Sequence, residues 1–135
     1  MKNKLLEKIM SKSNPLGVGD ILPDAFIDDL NSLYEVMEDS EIIFILSSSC
    51  ETCIEVLDYL KINGYFDVLI LIEGELEFIA ELRSCFKKVY RADYSKLKES
   101  LPIPVTPYIY KVNQEKEILM SEICYDISTL TEILK

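Results

Sequence analysis

Cys50 and Cys53, set in Ser49-Cys50-Glu51-Thr52-Cys53, stand directly after the apolar run Ile42-Ile43-Phe44-Ile45-Leu46. Two thiols at that spacing, at a strand-to-helix junction, can close a small disulfide ring and reopen it, so the chemistry they could carry is reversible thiol-disulfide exchange. At the first turn of a helix the unpaired backbone amides and the dipole favour a thiolate, which makes Cys50 the attacking nucleophile. Cys53, three residues on and on the same face, would attack the resulting mixed disulfide, release a reduced thiol and leave a Cys50-Cys53 bond. The Glu51 carboxylate between the two sulfurs opposes the thiolate. A less stable thiolate makes the couple a weaker oxidant and favours a reducing role.

The remaining inventory narrows the alternatives. The chain has four cysteines and no histidine, so Ser-His-Asp and Cys-His catalysis and metal sites built on imidazole are excluded. Cys85 and Cys124 stand alone, whereas a structural zinc site normally uses two short-spaced pairs, and no metal or cofactor is expected. A formal charge of −10 argues against nucleic acid or an anionic membrane surface as the main partner, since either would repel the chain at long range. No apolar stretch is long enough to cross a bilayer, and charges interrupt the first ten residues too often for a secretory core. The chain as given is expected in the cytoplasm, or outside it if a leader or anchor has been removed. At 135 residues, 49% of them hydrophobic, it has the apolar material for one domain with a continuous core.

The elements that must position the thiols are legible in the apolar spacing. Residues 1–18 read as a short amphipathic helix or an arm. Apolar residues at 30, 33, 36 and 37 suggest a helix over 30–37. Glu41–Ser47 is a strand whose continuous apolar run predicts cover on both faces. A helix over 50–63 carries Ile54, Leu57 and Leu60 on one stripe and stops at Asn63-Gly64. A second apolar strand spans 68–72, and a helix over 75–88 has acids in its first turn and bases in its last. On that helix Cys85 shares an apolar stripe with Phe78 and Leu82, while Cys124 follows Ile123 near a strand end. Both are expected as buried packing. A short strand over 89–92 and a short helix over 94–101 precede the prolines at 102, 104 and 107. A hairpin over 107–120 follows, and Thr129 to Glu132 has the capping-box spacing of a last helix. This order predicts a central sheet flanked by helices, parallel in its first half and antiparallel in its second.

Three segments in order along the chain now carry a family resemblance. They are Gly19-Asp20-Ile21-Leu22-Pro23-Asp24-Ala25-Phe26, the strand ending at Ser47 followed by Cys50-Glu51-Thr52-Cys53, and Thr106-Pro107-Tyr108 before the hairpin. The chain resembles the thioredoxin-fold redoxins, of the branch similar to TlpA/ResA-like thiol-disulfide oxidoreductases and to the peroxiredoxin (AhpC/TSA) superfamily, from Gly19 to about Leu134. The resemblance implies an α/β thioredoxin-like domain over 19–135, with a central mixed sheet of four to five strands and helices on both faces. It further implies that Pro107 is a cis-proline facing the sulfurs and that Thr106 pairs with a substrate backbone. The implied partners are a protein disulfide substrate and a thiol or reductase electron donor. The chain departs from the pattern at Ser47-Ser48-Ser49, where no tryptophan precedes the first cysteine, and at Phe44, where thioredoxins carry a buried acid. Glu55 is the candidate proton acceptor for Cys53, one residue short of the glutamate of ResA-like proteins, where this chain has Val56. Two other functions stay open. Ser47 could take the place of a peroxiredoxin threonine in a thiol peroxidase, and the missing acid suits a binding module on a thioredoxin scaffold that has lost turnover.

Overall fold

The computed structural model describes residues 16–134, and the arm or helix expected over 1–18 falls almost wholly outside them. The order of elements is α1 (Leu33–Val36), β1 (Glu41–Ser47), α2 (Glu51–Ile62), β2 (Leu69–Glu73), α3 (Leu76–Arg83), β3 (Lys88–Arg91), α4 (Tyr94–Leu97), β4 (Tyr108–Val112), β5 (Ile118–Ile123) and α5 (Ile127–Ile133). They form a five-stranded mixed sheet in the order β3-β2-β1-β4-β5. β1 pairs in parallel with β2, Ile45 opposite Leu71, and antiparallel with β4, Phe44 opposite Ile109. The strand that leads to the cysteines is therefore the central one, held by a ladder on each side.

Its apolar run divides by strand alternation between two cores. Ile43 and Ile45 pack with Leu69, Leu71, Tyr108 and Tyr110 on one face. Phe44 and Leu46 pack on the other with Ile70, Ile72 and the buried side of α2, which is Cys53, Val56, Leu57 and Leu60. Each large side chain fully removed from water contributes roughly 1.5–3 kcal/mol before entropy is charged against it. This face therefore fixes α2, and the cysteines with it, against the centre of the sheet. One charge is buried as well. Glu41 at the start of β1 is 4% exposed and meets the Lys88 ammonium of β3 at 2.5 Å. Burial pushes the Glu41 carboxyl above its ordinary range, against the opposing pull of Lys88.

Four expectations need correction. The helix read over 30–37 is only one turn long, because the Asp28 carboxylate accepts from the Leu30 and Asn31 amides and folds residues 27–31 into a turn. The helix read over 75–88 stops at Arg83, where the Ser84 hydroxyl returns to the Glu81 carbonyl at 2.5 Å. Cys85 is exposed rather than buried, since the core stripe runs Ile79, Leu82, Phe86 and Phe86 takes the place next to it. The last helix begins at Ile127, not after Thr129: the Asp126 carboxylate caps it by accepting from the Thr129 amide at 2.9 Å. Cys124 is buried, as its place near a strand end suggests.

Candidate active site

β1 ends at Ser47 and the chain turns through Ser48 and Ser49 into α2. This turn is tight against the strand next to it. A Cβ on Gly74, just past β2, would lie 2.7 Å from Ser48 Oγ, so only glycine allows that approach. The Ser47 hydroxyl pairs with that of Ser49 at 3.0 Å. Cys50 is the N-cap of α2, with extended backbone, and its Sγ accepts from the Cys53 amide at 3.1 Å. A thiol thus occupies the capping position that serine or aspartate commonly fills, where the amide and the helix dipole stabilise negative charge on sulfur.

The loop after α4 closes the site from the other side. The Thr106-Pro107 peptide is cis, and the Thr106 carbonyl stands 3.8 Å from Cys50 Sγ, the thiol donating. The loop is tied down where the Cys124 amide donates to the Pro107 carbonyl at 3.0 Å. Residues 56 positions apart in sequence meet here, and Cys50, Cys53, Thr106 and Pro107 form one cluster.

The two sulfurs differ in environment. Cys50 is half-buried, whereas Cys53 is 0% exposed and sits among Phe44, Val56 and Leu57. Burial first, and the neighbouring Cys50 thiol second, push the Cys53 thiol up to about 12, against the pull of the Ser47 amide, 3.4 Å away, and the Thr106 side chain. Phe44 lies in the same cluster, and among the described residues the one buried carboxylate is Glu41, at the far end of β1 from the sulfurs. Glu51 is exposed in the first turn of α2. Glu55 is exposed too, two residues past Cys53 and so about 200° around the helix. The structure does not bring it to the sulfur.

One residue near the site was not singled out in the sequence. The Tyr94 hydroxyl of α4 donates to the Leu46 carbonyl and lies 3.4 Å from that of Leu71. Burial first, then the charges of Cys53 and Glu73, push this phenol far above its ordinary value, so it stays a neutral donor. The available signal was Asp93, whose carboxylate caps a short helix at the end of β3. No local pattern shows where the ring that follows will point. A separate cavity of about 480 Å³, lined by Glu41, Tyr65, Phe66, Lys111 and Leu119 among others, lies at the opposite end of β1 and includes neither sulfur.

Sheet order, two-sided core, a thiol-capped helix and a facing cis-proline loop together define the thioredoxin-like class of fold. Solved structures agree. The chain superposes on a thiol:disulfide interchange protein from Bacteroides sp. with a TM-score of 0.64 and 21% identity, covering 87% of this chain and 88% of that one. The thioredoxin domain of a thiol-disulfide oxidoreductase from Bacteroides vulgatus gives 0.61 and 21% identity over 89% of this chain and 99% of that one. A thioredoxin-like protein from Bacteroides caccae gives 0.56 and 18% identity over 98% and 56%. No family model and no curated protein matches the sequence. At these identities the likeness is one of fold.

Proposed function

We propose that the chain is a thiol-disulfide oxidoreductase acting on protein disulfides, with Cys50 as nucleophile, Cys53 as resolving thiol and the Thr106-Pro107 loop as the surface that holds the substrate backbone. The observation that carries this reading is the half-buried Cys50 sulfur, capped by the Cys53 amide and facing the Thr106 carbonyl, with the Cys53 thiol buried behind it. The Cys50 thiolate attacks one substrate sulfur; a Cys50-substrate disulfide forms, the substrate S–S bond breaks and one substrate thiolate leaves. Cys53 loses its proton and attacks Cys50 Sγ, the mixed disulfide breaks, and the second substrate thiolate departs with the electron pair. A thiol or reductase donor then restores the dithiol. The solved structures that share the fold support the reaction class, two of them being described as thiol:disulfide interchange and thiol-disulfide oxidoreductase proteins.

One feature favours the reducing direction. Burial withholds from the Cys53 sulfur the thiolate stabilisation that favours the reduced form of a strong oxidant, so electrons flow outward. A redox titration should give a midpoint nearer about −270 mV than about −120 mV. Cys53→Ala should trap protein partners through Cys50 as adducts released by dithiothreitol. Absence of any adduct, with Cys50 still open to alkylation, would overturn the assignment.

A further inference from the structure

The buried acid of thioredoxins is replaced by Phe44, which leaves the developing charge on Cys53 without an obvious carboxylate partner. The structure offers a different arrangement. Tyr94 belongs to the core on one face of the sheet and Cys53 to the core on the other. One peptide group stands between them. The carbonyl of Leu46 accepts the Tyr94 hydroxyl, and the N–H of the same peptide, that of Ser47, points to Cys53 Sγ at 3.4 Å. A hydrogen bond to an amide oxygen polarises the amide and strengthens its N–H as a donor, by about 10–30% per bond.

We propose that Tyr94 is a positioning residue for Cys53, acting through the Leu46-Ser47 peptide to strengthen the hydrogen bond that receives the charge formed on the resolving sulfur. The inference rests on the thiol-exchange reading for its functional meaning, but not for its test. The titratable groups around the pair are Cys50 on α2, Cys53 itself and Glu73 at the end of β2, with the Thr106 hydroxyl as a neutral neighbour. Tyr94 remains protonated throughout. The Cys53 proton leaves to solvent, and the electron pair of the broken bond leaves with the departing thiolate.

The experiment uses 5,5′-dithiobis(2-nitrobenzoate) on the reduced chain carrying Cys85→Ser, which removes the exposed thiol. Attack by Cys50 releases one thionitrobenzoate, and resolution by Cys53 releases the second. Tyr94→Phe should leave the first phase within twofold, slow the second about two- to fivefold at neutral pH, and move its pH profile upward. An unchanged second phase, or two phases slowed alike, would overturn the proposal. Site-specific 3-fluorotyrosine at position 94 keeps the ring and is a stronger donor. It should shift the second phase the opposite way, which keeps the test decisive if Tyr94→Phe folds poorly. If the parent chain shows no second phase, the exchange reading fails. The Tyr94 link is then decided by NMR of the reduced chain, where no difference in the Ser47 amide proton shift between 3-fluorotyrosine and tyrosine at position 94 would end it.

Discussion

Raising the pH should keep accelerating resolution by Cys53 well above pH 9. The Cys53 thiol is pushed from 9.0 up to about 12, with burial as the largest cause. At neutral pH that shift lowers the thiolate fraction by about a thousandfold. The more basic thiolate is a better nucleophile, and a Brønsted coefficient of about 0.4–0.5 returns roughly 15- to 30-fold. Resolution should therefore run up to about 30- to 60-fold slower than for an unperturbed thiol in the same place. Once Cys50 is in a mixed disulfide its own contribution to the shift is gone. Burial remains, so the figure is an upper limit and the direction is unchanged. Stopped-flow release of the second thionitrobenzoate from the Cys85→Ser chain measures the step. The logarithm of its rate should climb with a slope near one through pH 9 and beyond. A plateau at or below pH 9 would refute the reasoning, because it would mean that the buried sulfur ionises as readily as a free one.

Two more outcomes follow from charge and burial. Lys88→Met leaves the Glu41 carboxylate buried without its partner and should cost about 3–5 kcal/mol by chemical denaturation at neutral pH. Because burial raises the Glu41 carboxyl in the folded state, the penalty applies to the ionised form. The deficit should shrink as the pH falls through that raised value, and a deficit that grew on acidification would contradict the assignment. With the Cys50-Cys53 pair oxidised, iodoacetamide at neutral pH should label Cys85 quickly and Cys124 only on unfolding. Cys124 is buried, and burial pushes its thiol up to about 11. Mass spectrometry of the native and unfolded products checks both positions.

Much of the fold could be read locally because apolar spacing reports which faces are covered. Residues 42–46 have no polar interruption, and β1 is the central strand with a core on each side. Pattern and structure part at element ends, where a single side chain competes with the ladder. Asp28 shortens the first helix, Ser84 ends α3, and Asp126 rather than Thr129 caps α5. Cys85 is exposed against its spacing for a related reason. Its spacing from Leu82 fits a stripe, but Phe86 offers more apolar area to the same core and takes the buried position.

The sequence by itself determined the pair of thiols, their spacing at a strand-to-helix junction and the absence of histidine and of an acid at position 44. These depend only on residue type and on neighbours a few positions away. The tertiary structure alone decided that Cys50 is half-buried and Cys53 fully so, that the Thr106 carbonyl meets Cys50, and that the Tyr94 hydroxyl meets the peptide leading to Cys53. Those relations join residues 48 to 56 positions apart. They arise because the sheet brings the ends of its strands together, and the chemistry of a sulfur is set by what surrounds it in space.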